Sequence, residues 1–311
     1  DMCHAFSGMV QLTSLDISGF DTSEVLDMAN MFQDDENLLV RGIENLKTSQ
    51  VIDMASMFQN CKKIKSLDLS KFVVSDVTDM SYMFYGCSSL AEIKIDAFNS
   101  EDATDMSFMF ADCSALTSLN LANFNTANVK MMNNMFSNCK SLSNLDFKSF
   151  DTSYVYSMES MFENCNNLVR IENLKFTTDE VEMMYKMFSG CHSLTSIDVS
   201  SFNTENVQDM RKMFYECRSL TSLNLRNFKT NNVLDLSYFA SDCRNLAYID
   251  VSSFEGDSLE FANAMFSGDV KLVSVSLPKL NTKNVEDLSE MFLNCESLES
   301  VDISGLDTSS A

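Results

Sequence analysis

Nine of the ten cysteines occupy one column of a 26-residue period, and Asp35, Asp269 and Met9 hold the same slot in other copies. The nine are Cys61, Cys87, Cys113, Cys139, Cys165, Cys191, Cys217, Cys243 and Cys295. Thiolates beside 22 methionines are ligands that a soft ion such as Cu(I) prefers. Small thiols also pack as buried apolar groups, and stacked cysteines with parallel Cβ vectors do not form disulfides. We interpret the column as a structural core ladder of reduced cysteines that holds no metal.

A second column is acidic and falls on the outward side of a predicted strand. It contains Asp16, Asp68, Asp146, Asp198, Asp250 and Asp302. Calcium requires six to eight oxygen ligands, and one carboxylate for each turn of the fold supplies too few. We therefore expect solvated carboxylates and no cofactor, with a calcium-dependent adhesion module kept as an alternative. A further acidic row, which includes Asp27, Asp53 and Asp79, is predicted to complement helix dipoles.

The sequence offers little for catalysis. His4 and His192 are the only histidines, and no glycine-rich phosphate loop, nucleophile elbow or histidine-based zinc spacing occurs. We predict that the chain is not an enzyme. The net charge of -23 argues against nucleic acid and anionic membranes as partners, because both attract basic patches. No apolar stretch is long enough to predict insertion into a membrane.

The elements that position these columns repeat without a change of spacing. Met-Phe pairs such as Met31-Phe32, Met57-Phe58 and Met83-Phe84 recur every 26 residues, and twelve such units account for the whole chain. A fixed period of this length predicts a solenoid, in which each unit buries its apolar face against its neighbours. We expect residues 1–311 to form a single repeat solenoid that is an excised part of a longer array.

Each unit predicts one helix and one strand. In residues 77–87 the apolar positions recur at steps of three and four, as on one face of a helix. A Thr or Ser column such as Thr126 is expected to cap the helix start, and the Gly, Asn or Asp column of Gly86 to adopt the left-handed conformation at its end. Ile93 and Ile95 then alternate with polar residues as in a short strand. The predicted fold is an α/β leucine-rich-repeat-like solenoid, with parallel strands on one side and short helices on the other.

Two copies contain the same phrase offset by one residue, at 40–47 and 169–175. Because a slip of one residue turns every side chain of a strand to the opposite face, we expect a local bulge in one or both copies.

The exposed strand face is the predicted binding surface. Its outward positions are mostly small and polar, and Lys94, Arg170, Arg226 and Tyr248 break this rule. Concave solenoid faces bind extended partners, and Arg and Tyr are frequent anchors. We predict that these four residues, together with the first acidic column, contact a protein or glycan. Unselected variation on a free surface would give the same pattern.

The repeat resembles that of BspA-like leucine-rich-repeat surface proteins of the Mycoplasma lipoprotein type. The resemblance rests on units such as 207–230, with their Met-Phe pair, column cysteine and following Leu-x-x-Leu-x-Leu pattern, and it extends over all twelve units. It implies a non-enzymatic cell-surface or secreted protein that acts in adhesion and interaction. The alternative from the residues is a structural subunit of an extracellular filament or coat, since uncapped repeats can associate end to end.

Overall fold

The computed structural model describes residues 1–310, in two compact units. Unit 1 contains residues 1–154 and 171–173, and unit 2 contains residues 155–170 and 174–310. Each is a coil of 26-residue turns with short parallel strands on one side. The prediction of a single solenoid across residues 1–311 stays a prediction.

The strands of the described residues are three residues long each. They are Ser14–Asp16 (β1), Leu39–Arg41 (β2), Ser66–Asp68 (β3), Glu92–Lys94 (β4), Asn144–Asp146 (β5), Arg170–Glu172 (β6), Ser222–Asn224 (β7), Tyr248–Asp250 (β8), Ser274–Ser276 (β9) and Ser300–Asp302 (β10). Parallel pairs form between β1 and β2, β3 and β4, β7 and β8, and β9 and β10. In β4, buried Ile93 lies between exposed Glu92 and Lys94, which confirms the predicted alternation.

The predicted short helices are wrong: residues 1–310 contain no α-helix, and a 3₁₀ turn at Ile43–Asn45 is their only helical element. Consecutive β-turns replace the helix, and in unit 1 they join Met80 to Met83 and Phe84 to Cys87 through backbone hydrogen bonds of 3.3 and 3.1 Å. The apolar steps of three and four fit these turns as well as a helix. The periodicity therefore identified the buried face but not the backbone conformation.

Two residues in each turn segment have positive φ, which a right-handed helix does not allow. Tyr82 has φ of 57° and Gly86 has φ of 70°. The predicted left-handed column of Gly86 is thus confirmed, although it closes a β-turn. The N–H groups of Tyr82, Phe84 and Gly86 donate to carbonyls of the next turn of the coil at 2.9 Å each. This hydrogen bonding along the coil axis takes the place of the helical i to i-4 pattern.

The threonine column does not cap helices. In unit 2 the Thr204 hydroxyl donates to the Lys229 carbonyl at 2.8 Å and accepts from the Lys229 N–H at 2.7 Å. The same double bond joins Thr126 to Asp151 in unit 1. Each column threonine in these pairs therefore fastens one turn of the coil to the next.

The second acidic row does not complement helix dipoles either. Asp79 accepts the N–H of Ser81 at 2.8 Å, and Asp209 accepts that of Arg211 at 2.9 Å. These bonds make Asx turns, in which an aspartate side chain fixes the backbone two residues later. Asp79 and Asp209 thus stabilise the start of their turn segments.

The core lies between the turns and the strands. Phe32, Phe58, Phe84 and Phe110 stack in unit 1 with ring centroids 5.3 to 5.8 Å apart. In unit 2, Phe188 stacks on Phe162 and Phe214 at 5.4 and 5.5 Å. These rings are fully buried. Because every 26-residue turn places the same kind of side chain at the same position, the core of each unit is a set of parallel columns of side chains.

The column cysteines are reduced thiols, all buried except the half-exposed Cys295. The Cys113 Sγ donates to the Phe84 carbonyl at 3.1 Å, and the Cys217 Sγ donates to the Phe188 carbonyl at 3.1 Å. Burial raises the pKa of both thiols well above its usual value. The column therefore supplies a hydrogen-bond donor to a buried backbone oxygen in each of these turns.

Candidate binding face

The predicted site residues lie in or near the strands, on the outward side; Asp198 and Arg226 lie outside the strands themselves. Asp16, Asp68, Asp146 and Lys94 lie on unit 1, and Arg170, Asp198, Arg226, Tyr248, Asp250 and Asp302 lie on unit 2. All are exposed except Asp250, which is half-buried. Strand geometry produces this arrangement, because alternate side chains enter the core while their neighbours face outward.

In unit 1 the face brings two of the predicted residues together. The register of β3 and β4 places Asp68 beside Lys94, and the Lys94 Nζ lies 3.2 Å from the Asp68 Oδ2. The hydroxyl and N–H of Ser70 also bond to Asp68, at 2.6 and 3.1 Å, and with Lys94 they lower the pKa of Asp68 to about 2. Asp68 is thus an ionised group with several donors around it.

The other column aspartates use one oxygen to bind their own chain. Asp16, Asp146, Asp198, Asp250 and Asp302 each accept the N–H of the residue two positions later, at 2.9 to 3.2 Å. Bonds from Ser18, Ser200 and Ser304 lower the pKa values of Asp16, Asp198 and Asp302, respectively. Each of these aspartates therefore forms an Asx turn with the residues that follow it.

In unit 2, the face carries an exposed aromatic side chain and an exposed basic one. Tyr248 stands opposite Ser222 in the register of β7 and β8, and Asp250 stands opposite Asn224. The Tyr248 side chain is 52% exposed, and Arg226 follows β7 on the solvent side. Because the Tyr248 ring projects beyond the small Ser222 side chain, a partner can pack against it.

One cluster of metal-ligand side chains occurs in residues 1–310. The ligand atoms of Asp1, Cys3 and Asp27 lie within 4.8 Å of one another. Asp1 accepts the N–H of Cys3 at 2.8 Å, and Asp27 accepts that of Ala29 at 2.9 Å. These carboxylates already serve as turn caps, and the column aspartates of the strand face do not join the cluster.

The two aspartates in the cysteine column are buried and incompletely bonded. Asp35 Oδ1 accepts the Met9 N–H at 2.6 Å, and Asp269 Oδ1 accepts the Cys243 N–H at 2.8 Å. The Oδ2 of each has no hydrogen-bond partner among residues 1–310. Burial raises the pKa of Asp35 to about 6 and that of Asp269 to about 10. These groups lie in the core, away from the outward strand positions.

A cleft that the sequence interpretation did not identify opens on the strand side of unit 1. It has a volume of about 640 Å³ and lies between β2 and β3, with Val40, Ile64 and Leu67 among its lining residues. The only sequence signal was the one-residue slip at 40–47. In the structure this copy contains the predicted bulge: β2 pairs with β1 through Leu39 to Ser14, one residue ahead of the 26-residue period.

Comparison with known proteins identifies the repeat and the fold. The family model described as Mycoplasma protein of unknown function, DUF285, matches residues 1–94, 65–173, 143–247 and 235–311. No curated protein sequence matches the chain. A leucine-rich repeat protein from Bacteroides ovatus is 17% identical, with a TM-score of 0.50 over 98% of this chain and 76% of that chain.

Two other solved structures share less of the geometry. A leucine-rich cell surface protein from Faecalibacterium prausnitzii is 16% identical over 83% of this chain and 84% of its own, with a TM-score of 0.37. An internalin from Listeria monocytogenes is 18% identical over 95% and 88%, with a TM-score of 0.29. The Bacteroides structure thus supports a leucine-rich-repeat solenoid, a scaffold that is typically non-enzymatic. In residues 1–310 no helix has the length and apolar character to span a bilayer.

Proposed function

The chain belongs to the family described as Mycoplasma protein of unknown function, DUF285, and from this premise we propose that it is a non-enzymatic cell-surface or secreted module that binds protein or glycan partners. The family match confirms the resemblance of the repeat to BspA-like surface proteins. That resemblance supports the proposed location and the adhesive role.

The observation that carries the proposal is that the polar side chains on the two sides of the coil have different roles. The turn side uses its polar groups to join successive turns, as Thr204 does with the backbone of Lys229. On the strand side, the Tyr248 side chain is half exposed. Side chains that the fold does not require are available for a partner, and exposed Tyr and Arg are frequent anchors.

The proposal needs no cofactor. Each column aspartate of the strand face spends an oxygen on its own backbone, and Asp68 is also paired with Lys94. Unfolding temperatures measured with calcium and with a chelator test this point. Equal temperatures are expected, and a calcium-dependent rise would favour the calcium-dependent module instead.

Binding to a glycan array and to a panel of purified extracellular proteins tests the function. We expect specific binding that falls at least tenfold in the double variant Tyr248→Ala/Arg226→Ala. The matched control, Tyr154→Ala/Arg244→Ala, changes an exposed Tyr and Arg outside the strands and should bind as the parent does.

Absence of any binding, or equal binding by both double variants, would contradict the proposed face. Light scattering on the same samples reports self-association. Ordered fibres formed by the parent chain would point to the filament alternative.

A further inference from the structure

The strand ladder of unit 1 is interrupted between β2 and β3. Backbone bonds join β1 to β2 and β3 to β4, while no ladder joins β2 to β3 in the described residues. These two strands also stand further apart than β8 and β9, which are consecutive strands without a ladder in unit 2. The cleft of about 640 Å³ occupies this interruption. Its size falls within the range of about 300 to 1,000 Å³ that is typical of ligand pockets.

The one-residue slip of β2 lies at the interruption. Gly42 has φ of 88°, and a Cβ at this position would lie 2.5 Å from the Ser18 backbone nitrogen. After Gly42 the chain enters the 3₁₀ turn at Ile43–Asn45 and leaves the path of a strand. Only glycine permits this close, left-handed passage. The shape of the cleft is therefore fixed by the backbone of β2.

Both walls of the cleft present backbone groups that lack a strand partner. Leu39 donates to Thr13 at 3.2 Å and Arg41 accepts from Ile17 at 3.0 Å, so these residues of β2 bond to the β1 side. Lys65 and Leu69 bond toward β4 in the same way. Alternate residues of a strand direct their backbone groups to opposite sides. The groups of Val40 in β2, and of Ser66 and Asp68 in β3, therefore face the cleft.

The floor of the cleft is apolar and its two ends differ in charge. Val40 is half-buried, whereas Ile64 and Leu67 are 4 and 5% exposed. Lys63 and Lys65 precede β3, and neither ammonium group has an ion-pair partner in residues 1–310.

Acidic side chains lie at the other end of the cleft. Glu44 follows β2 in the 3₁₀ turn, and Asp68 ends β3. Among the residues that line the cleft, the basic side chains therefore lie at the amino end of β3, and the acidic ones lie at the carboxyl end of β3 and beyond β2. Arg41 ends β2 but does not line the cleft. A ligand that lies along the strands meets a gradient of charge.

We propose that this cleft binds an extended peptide segment of a partner protein as an added strand, antiparallel to β2 and β3, with an acidic residue and a free terminal carboxylate at Lys63 and Lys65. The segment bonds to the backbone of Val40, Ser66 and Asp68 and places an apolar side chain on the floor. Its basic amino end faces Glu44. Edge pairing supplies affinity in this type of recognition, and the floor and charged ends select the sequence. The inference rests on the proposed function, because it assigns a partner class to one part of the strand face.

Two pentapeptides of the same composition with free termini test the proposal by calorimetry. In KVTVE the side-chain and terminal charges reinforce each other at both ends, whereas in EVTVK they cancel. We expect the parent chain to bind KVTVE at least tenfold more tightly than EVTVK. KVTVE with methylated amide nitrogens at alternate residues cannot form the strand bonds, and its binding should be lost.

Variants locate the peptide. Lys63→Glu/Lys65→Glu should lower the affinity for KVTVE at least tenfold, and the control Lys130→Glu/Lys140→Glu, which makes the same charge change outside the cleft, should leave it unchanged. Bound KVTVE should slow hydrogen exchange at Val40, Ser66 and Asp68 and not at β7 or β8. All of these measurements use the intact chain.

Equal affinities for KVTVE and EVTVK, no binding of either peptide, or unchanged binding by the Lys63→Glu/Lys65→Glu variant would overturn the proposal. The array experiment fails or succeeds separately, because its double variant changes Tyr248 and Arg226 in unit 2. If KVTVE does not bind but binding to the array is intact, the cleft is not a peptide site, and the proposed function stands.

Discussion

In both units, one side of the coil consists of the consecutive β-turns (the turn side) and the other side carries the strands (the strand side). The two sides differ in the backbone hydrogen bonds that join successive turns of the coil. On the turn side of unit 1, backbone N–H groups of Tyr82, Phe84 and Gly86 bond to the next turn of the coil without a missing position. On the strand side, β1 to β4 form two separate pairs. The slip at Gly42 interrupts the strands and leaves the turns around Asn30 and Ser56 in place. The turn side therefore fixes the period, and the strand side tolerates change.

This difference indicates where the fold tolerates a change of sequence with little loss of stability. A slip of one residue on the turn side would break several bonds along the coil and misplace a buried phenylalanine. The same slip on the strand side costs one short ladder and opens a cleft. Binding surfaces that vary between related chains belong on the side whose errors are tolerated.

The largest expected loss of stability comes from a substitution in the core beneath the turn side. Phe188→Ala removes a buried ring that stacks on Phe162 and Phe214, and it should lower the free energy of unfolding by about 3 to 5 kcal/mol. Tyr248→Ala removes an exposed ring from the strand side and should change it by less than about 0.5 kcal/mol. Urea unfolding measures both. Similar losses in the two variants would contradict the comparison.

The next effect depends on pH. The folded-state pKa of Asp269 is about 10 and its unfolded value is about 4, so the folded state retains a proton that the unfolded state releases. Stability from this group is complete below pH 4 and is lost as pH rises toward 10, by up to about 1.4 kcal/mol per pH unit. Asp269→Cys restores the column residue, and its gain in unfolding temperature should be larger at pH 8 than at pH 5.

Asp35→Cys provides the matched comparison for that prediction. The pKa of Asp35 is about 6, so its loss of stability is confined to the interval from about pH 4 to 6. The gain in this variant should not grow further between pH 7 and 8. If Asp269→Cys and Asp35→Cys give the same profile from pH 5 to 8, the burial of Asp269 does not control its protonation.

A smaller effect tests the bonds along the coil. Thr204→Val keeps the shape of the side chain but leaves the N–H and carbonyl of Lys229 without their partner, and it should cost about 1 to 3 kcal/mol. Ser222→Ala removes a hydroxyl from the exposed face of β7 and should cost less than about 0.5 kcal/mol. Thermal unfolding of both variants measures the difference. Equal costs would mean that the threonine column does not fasten the turns.

The sequence predicted much of the architecture because periodicity reports burial directly. The 26-residue period, the strands around Ile93 and the left-handed position of Gly86 all follow from residue type and spacing. The helices could not be separated from β-turns, since both bury residues at steps of three and four. The second left-handed column was hidden because Tyr82, Phe108 and Lys186 occupy it, and these types rarely adopt positive φ.

The candidate site was less predictable. The outward position of Tyr248 follows from strand alternation, and the bulge at Gly42 follows from the slipped phrase. The opening of a cleft depends on how far β3 stays from β2, which no residue pattern encodes. The unpaired backbone of Val40 is likewise a property of the assembled coil.

The cysteine column gives each turn that carries it a chemical reporter of its own opening. A thiol such as that of Cys113, buried and donating to the Phe84 carbonyl, reacts with an alkylating reagent only after its turn separates from the preceding one. Column cysteines at positions from 61 to 295 belong to different turns of the two units. The order in which they become alkylated, measured by mass spectrometry, therefore shows which turns of the coil open most often.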